Sequence, residues 1–261
     1  MFDCHIHSRV SFDAEDTGEN LARAAVAAGI KEICFTDHVD FDPLAQTQTM
    51  MFDVDAYSRE YDHLEIPGLK IHRGMEFGLY TFNQEHLQER LRQRHYDYVL
   101  GSIHFVDDID VYYREYWDGR TPFQAQRRFL EQTLACVQVH DGYDVLAHLT
   151  FLNKSPANPT KSPLPYDDHR EIIDAILQEL VKKGRGLEMN TSGVDRCGGF
   201  LPTVDYFRRF KELGGEIVTV GSDAHTANRV GQYCSDACGI LKDIFGYVCT
   251  FENRQPVFHK L

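Results

Sequence analysis

The sequence predicts an α/β protein built as one parallel β/α barrel. Three observations carry this. Strand-like apolar segments alternate with amphipathic helical segments seven times along the 261 residues, which makes the strands parallel and the helices their crossovers. Side chains of the metal-ligand type fall at the C-terminal ends of those strands: His5 and His7, His38, Glu76, His104, His148, Asp223 and His225. A closed barrel gathers such ends into one bowl, whereas an open sheet spreads them along an edge, where eight residues could not share a site.

The first strand covers residues 3–7. Residues two apart on a strand share a face, so His5 and His7 project together, away from Phe2, Cys4 and Ile6. A loop over 8–17 leads to a helix over 19–28, with Gly29 suited to its C-cap. The second strand, 32–35, ends in Thr36-Asp37-His38. A long loop with Asp40, Asp42 and Pro43 follows, then a helix over about 53–64, closed by Pro67 and Gly68. The third strand, 69–75, ends at Glu76, and Asn83 is placed to cap a helix over 84–95.

The fourth strand, 98–103, ends at His104, before an acidic and aromatic loop over 105–120. Thr121-Pro122 then opens a helix with a hydroxyl at the N-cap and Pro at the first helical position; it reaches about His140. The fifth strand, 143–147, ends at His148. A Pro- and Asn-rich loop over 153–165 precedes an amphipathic helix that runs to about Lys183, with Gly184 as its stop. The sixth strand, 186–189, ends at Asn190-Thr191-Ser192, and Pro202 precedes a helix over 203–213. The seventh strand, 216–221, ends at Ser222-Asp223-Ala224-His225. A last helix covers about 232–245, and the tail from Tyr247 reads as a small strand or hairpin. No linker, low-complexity segment or repeat intervenes, so residues 1–261 read as a single domain.

Composition narrows the function. Lys and Arg total 27 against 40 Asp and Glu, and the net charge of −13 argues against a nucleic-acid partner held by its phosphates. No run approaches the roughly 18 apolar residues of a membrane span, and His5 sits where a cleavable leader would have to be. The seven cysteines are odd in number, scattered and without a Cys-x-x-Cys pair, the pattern of reduced, mostly buried thiols in a cytoplasmic protein.

Six His, one Glu and one Asp at converging strand ends are too many for one metal ion. Nitrogen and oxygen ligands without thiolate suit Zn, Mn or Fe, and Glu76 is the natural carboxylate to bridge two ions. Taken singly, each residue has another reading: His38, His104 and His148 as hydrogen-bonded core histidines, Asp223 as a turn or cap residue. Their joint placement at almost every strand end supports a polynuclear site. His63, His86, His95, His140, His169 and His259 lie on helices or the tail and read as surface residues. His72, within the third strand, reads as core.

His5-x-His7, Thr36-Asp37-His38, Glu76, Ser102-Ile103-His104, Ala147-His148 and Ser222-Asp223-Ala224-His225 form an ordered set over residues 3–225 that resembles the PHP (polymerase and histidinol phosphatase) family. The chain length and Asn190-Thr191-Ser192-Gly193 are most similar to its monofunctional histidinol-phosphate phosphatases. The resemblance implies a distorted (β/α)7 TIM-like barrel with three divalent ions. The first would take His5, His7, Glu76 and Asp223. The second would take Glu76, His104 and His148. The third would take His38, His225 and a loop residue; many members have a His there, and this chain has Asp13.

The implied activity is that of a phosphoric monoester hydrolase converting L-histidinol phosphate to L-histidinol and phosphate in histidine biosynthesis, by attack of a metal-bridging hydroxide. Glu76, Asp223, Asp13 and Asp37 are the candidate catalytic carboxylates. Asp13, Asp37 and a metal-bound water all stand open as proton donors to the leaving group. Phosphate also calls for cations: Arg196 first, then Lys154, Arg229 and Arg9. Asp40, Asp42, Asp107, Asp108 and Asp110, with Phe105, Tyr112, Tyr113 and Trp117, could receive the amine and imidazole. Two alternatives stand beside this: a phosphatase of phosphotyrosine or another small phosphomonoester, and a PHP-type exonuclease, which the net charge and the absence of a basic stripe disfavour. The expected partner is a small phosphorylated substrate, with no nucleic acid and no membrane, and the oligomeric state is open.

Overall fold

Phe2–Ile6 (β1), Glu32–Phe35 (β2), Lys70–Gly78 (β3), Tyr98–Ser102 (β4), Val145–Leu146 (β5), Gly186–Asn190 (β6) and Val218–Gly221 (β7) pair in chain order, every pair parallel. This computed structural model describes residues 1–41 and 50–261, so Asp42 and Pro43 lie outside the described residues. The last strand returns to the first: Ile6 bridges Ala224, the His7 N–H donates to the Ala224 carbonyl at 2.9 Å, and the Asp223 N–H donates to the His5 carbonyl at 2.8 Å. The sheet is thereby nearly closed into a barrel, as the alternation of elements predicts.

Helices Gly18–Ala27 (α1), Val54–Tyr61 (α2), Gln84–Gln93 (α3), Pro122–Val139 (α4), Arg170–Lys182 (α5) and Val204–Glu212 (α6) are the crossovers, and Cys234–Ile244 (α7) follows the last strand. Local chemistry sets their starts. The Thr17 hydroxyl accepts the Asn20 N–H at 3.1 Å, and Thr121 forms a reciprocal capping box with Gln124. Asn83 does not cap α3. Its amide instead ties the end of β3 to the following turn, accepting from the Tyr80 N–H and donating to the Gly78 carbonyl, both at 2.9 Å.

Two apolar layers result. The outer one, between sheet and helices, includes Leu21, Phe129, Ile176, Phe207 and Leu241. The inner one fills the barrel: Cys4, Cys34, Tyr98, Leu100, Val145 and Ala147. Glu76 and Leu100 are in register, so they share the inward face. Cys4 reaches this layer although its neighbour His5 also turns inward, because the pairing of β1 shifts between Asp3 and Ile6. Simple alternation, which sends Cys4 away from the His5 side, does not hold there.

The tail forms an antiparallel hairpin, Tyr247–Glu252 (β8) with Gln255–Lys260 (β9). It covers the lower end of the barrel. Phe251 joins the inner layer, its ring stacked on Tyr98 with centroids 4.8 Å apart. Arg254 ion-pairs with Asp144, and the Asn253 N–H donates to Asp97 Oδ1.

Several local expectations change. β3 runs on to Gly78, so Glu76 lies within the strand rather than past its end. The 105–120 loop holds a small hairpin, Phe105–Val106 with Ile109–Asp110, and a short helix, Arg114–Trp117. His140 and His169 are buried, not surface residues. His140 Nε2 lies 2.6 Å from the Tyr80 carbonyl, and His169 stacks beneath Phe123 with ring centroids 4.3 Å apart. All seven cysteines are buried and free. No helix among the described residues is long and apolar enough to cross a membrane.

Candidate metal centre

The upper rim of the barrel collects imidazoles around one carboxylate. His5 and His7, on β1 and just past it, bring their Nε2 atoms 3.0 Å apart. Glu76 Oε2 lies 3.4 Å from each of them, and Asp223 Oδ1 lies 3.8 and 3.6 Å away. The other oxygen of Glu76 faces a second group: Oε1 is 2.7 Å from His148 Nε2 and 3.4 Å from His104 Nε2. A third group gathers on Asp13, whose Oδ2 is 3.0 Å from His225 Nε2 and 3.5 Å from His38 Nε2. The nine residues singled out as ligands in the sequence thus converge in three sets; Glu76 is shared between the first two, and its Oε2 also lies 3.0 Å from His38 Nδ1 of the third.

Most of the remaining ring nitrogens face groups of their own, His148 Nδ1 excepted. His5 Nδ1 is 2.7 Å from Glu188 Oε1. His7 Nδ1 is 3.1 Å from the Ser11 hydroxyl, which donates to Asp37 at 2.9 Å. His225 Nδ1 lies 3.0 Å from the Asp223 carbonyl. Asp40 sits between His38 and His104, with Oδ2 3.1 Å and 3.0 Å from their Nδ1 atoms. Such contacts fix which nitrogen is left for a metal. Sequence reasoning missed Glu188 and Ser11 and gave Asp40 to the substrate. For Glu188 a signal existed: it lies two residues before Asn190 on β6 and so shares the inward face. Ser11 and Asp40 lie in loops, where no periodicity marks them.

The electrostatics hold the carboxylate ligands ionised, whereas against burial the neighbouring carboxylates (Glu188 and Glu76 for His5, Glu76 for His38, Asp40 and Glu76 for His104) raise those three imidazoles, so a metal would displace their protons. Burial alone would raise the Glu76 carboxyl, but His5, His38 and His104 outweigh it and hold the group well below the carboxylate range. Asp223 is likewise lowered despite burial, chiefly by Lys154 and His5. Asp13 is lowered against the effect of burial by His225 and His38. Burial, with His225 and His38 nearby, keeps His7 neutral.

Whether a cation fits can be judged from atoms left without partners. Glu76 Oε2 and His148 Nδ1 are buried and make no hydrogen bond. Between the His5 and His7 Nε2 atoms only one hydrogen can lie, which leaves the other lone pairs of this buried set unanswered. His5/His7/Asp223, His5/Glu76/His148 and His7/His38/His225 each place three ligand atoms within 4.8 Å of one another. An all-nitrogen-and-oxygen set of this kind fits divalent ions. His148 and Asp223 carry positive φ, 21° and 55°, in non-glycine residues. Such strain costs about 1–3 kcal/mol each and gathers at functional sites.

Above the cluster lies a cavity of about 1190 Å³. Three of the four expected cations line it. Lys154 Nζ is 2.5 Å from Asp223 Oδ2 and 4.9 Å from the Phe151 ring centroid. Arg229 pairs with Asp195 at 2.7 Å. Arg196 has no ion-pair partner among the described residues. Arg9 is not in the cavity: its guanidinium pairs with Glu60 at 2.8 Å. Asp37 is absent from the cavity wall as well. It is fully buried, accepts from the Tyr61 hydroxyl at 2.6 Å and the Ser8 N–H at 2.8 Å, and is pushed up to about 6 by burial. Asp37 therefore braces the β1 loop and cannot reach a substrate.

Of the residues offered for an amine and an imidazole, Asp40, Asp110, Phe105, Tyr112 and Tyr113 line the cavity, and Phe12 and Glu115 join them. Asp107 is taken by Arg128, Asp108 is exposed, and Trp117 is buried with its indole donating to the Val111 carbonyl.

The PHP domain family model matches residues 3–192. A histidinol-phosphatase of Lactococcus lactis subsp. lactis is 31% identical over 231 residues, 87% of this chain and 85% of that one. A Clostridium acetobutylicum protein named "Probable histidinol-phosphatase" is 28% identical over 99% of this chain and 96% of its own. A crystal structure of histidinol phosphate phosphatase from Lactococcus lactis, complexed with zinc, L-histidinol and phosphate, superimposes with a TM-score of 0.86 at 27% identity, covering 98% of both chains. With matched residues spanning most of its length, this chain belongs to the PHP domain family.

Proposed function

We propose that this protein is a metal-dependent phosphatase that hydrolyses L-histidinol phosphate to L-histidinol and phosphate. The observation that carries the reading is the two-sided reach of Glu76, one oxygen toward His5 and His7 and the other toward His104 and His148, at the floor of a cavity with cations on its wall. Histidinol-phosphatase relatives of matching length support the same chemistry.

In this reading the chain holds three divalent ions: one on His5, His7, Glu76 and Asp223, one on Glu76, His104 and His148, and one on His38, His225 and Asp13. When bound, such ions neutralise phosphate charge and lower the pKa of water. The protein's own residues do the rest. Arg196, without an ion-pair partner among the described residues, offers a two-pronged donor to phosphate oxygens. Lys154, beside it on the wall, adds a second cation. Asp13 is held ionised by two imidazoles and so serves as a ligand rather than as the acid for the leaving group. Asp110 and Glu115, with Tyr112 and Tyr113, offer an acidic and aromatic wall to the amine and imidazole of the substrate. A small substrate suits the net charge of −13 better than a nucleic acid. The same reading takes residues 1–261 as one domain, and the buried, unpaired thiols suit a cytoplasmic setting.

The test is phosphate release from L-histidinol phosphate beside phosphotyrosine, a nucleoside monophosphate and an oligonucleotide, with protein of measured metal content supplied with Mn, Zn or Fe. A clear preference for histidinol phosphate is expected. Equal, slow release from every monoester would leave the phosphatase chemistry and overturn the substrate.

A further inference from the structure

We infer that Glu188, on β6, is a positioning residue that sets two ligand groups at once, and that Gly221 is glycine to leave it room. Glu188 is fully buried beneath the metal centre and touches no cavity wall. Its Oε1 accepts from His5 Nδ1 at 2.7 Å, and its Oε2 accepts from the His148 backbone N–H at 2.9 Å. Oε2 also accepts from the Asn190 side-chain amide at 3.2 Å. The orientation of Asn190 follows from Ser192, whose N–H donates to Asn190 Oδ1 at 3.0 Å, so the Asn190 NH2 faces Glu188.

Three donors thus converge on one carboxylate, which satisfies acceptor-only geometry. The contact to His5 puts the ring hydrogen on Nδ1 and leaves the Nε2 lone pair toward His7, Glu76 and Asp223. The contact to His148 holds a backbone whose φ of 21° is unusual outside glycine. His5 belongs to one of the groups that Glu76 joins and His148 to the other. Glu188 therefore sets their separation from below, as Glu76 spans it from above. At Gly221, on the neighbouring strand β7, a Cβ would stand 2.3 Å from Glu188 Oε1 and 2.4 Å from the His5 Cβ. Any side chain there would drive the pair apart.

The inference rests on the metal reading above, and its test is independent of substrate. Glu188→Gln keeps size but offers one acceptor and one donor, so it cannot serve both His5 and His148. In chelator competition followed by metal analysis, the variant is expected to hold zinc about 10–100-fold more weakly than wild type, with the metal-free melting temperature little changed. Excess zinc should restore turnover while KM stays constant, which general structural damage would not allow. Wild-type zinc affinity in the variant would overturn the inference while leaving the metal centre intact; a wild type that binds no zinc would overturn both. Should the variant fail to fold, nitrogen NMR of 15N-histidine-labelled, zinc-loaded wild type decides. His5 is expected to carry its hydrogen on Nδ1 and zinc on Nε2, and the opposite tautomer would refute the role of Glu188.

Discussion

Asp40 grips His104 with both oxygens, at 3.1 and 3.0 Å from Nδ1. The contact leaves Nε2 of His104 free to face Glu76. Gly78 is part of the arrangement, since a Cβ there would collide with Asp40 Oδ1. Asp40→Ala is therefore expected to weaken metal binding and turnover by about 10–100-fold. Metal titration of the variant checks this, and unchanged affinity would remove Asp40 from the orienting set.

Glu76→Ala removes the carboxylate whose two oxygens face the Nε2 atoms of both the His5/His7 and the His104/His148 groups. Turnover should fall to background and bound metal should drop, while circular dichroism shows the barrel still folded. A fully active variant with wild-type metal content would disprove the shared-ligand assignment.

Arg196 and Arg9 separate a substrate role from a surface one. Arg196→Ala removes charge-assisted hydrogen bonds worth about 1.5–3 kcal/mol, so KM should rise roughly 10–100-fold with kcat less affected. Arg9→Ala loses only an exposed ion pair with Glu60, worth about 0–1 kcal/mol of stability, and should leave KM alone. Steady-state kinetics on both variants makes the comparison. An unchanged KM for Arg196→Ala would return that residue to the surface.

His140 should make the fold acid-sensitive independently of the metal ligands. Burial lowers its pKa, against the hydrogen bond to the Tyr80 carbonyl, with Lys183 adding to the depression. The unfolded chain takes up a proton near the ordinary histidine value of about 6.5, which the folded chain refuses. The stability tied to His140 is complete above that value. It is lost as the pH falls from there toward the lowered folded value. His140→Gln keeps a donor for Tyr80 but does not titrate. Its melting temperature should fall less than that of wild type between about pH 7 and pH 5. Parallel slopes for the two proteins would exclude His140 as a source of the sensitivity.

The barrel was legible because buried parallel strands are short apolar runs separated by helices with clear caps, as at Gly29 and Thr121. Most ligands were legible because they sit near the C-terminal end of a strand, where the chain turns toward the same bowl; Asp13, in a loop, came only from the family resemblance. What stayed hidden depends on contacts between distant segments. Arg9 and Asp37 lie beside ligand motifs yet face Glu60 and Tyr61, choices set by α2 rather than by local sequence. Asp40 looked like a loop acid because nothing nearby announces that Gly78 clears a place for it. His140 and His169 look exposed at helix ends until the Tyr80 carbonyl and the Phe123 ring cover them.

The hairpin that stops the lower end of the barrel ties β1 to a segment translated long after it. Cys4 of β1 and Cys249 of β8 are 245 residues apart, yet the Cys4 thiol points at the Cys249 carbonyl. At translation rates of about 5–20 residues per second, the first strand waits on the order of 10–50 s for its floor. Throughout that interval a nascent chain carries His5 and His7 on a strand with one edge unsatisfied. Chelation competence therefore waits on Asp223, His225 and the hairpin, all translated long after the first two ligands.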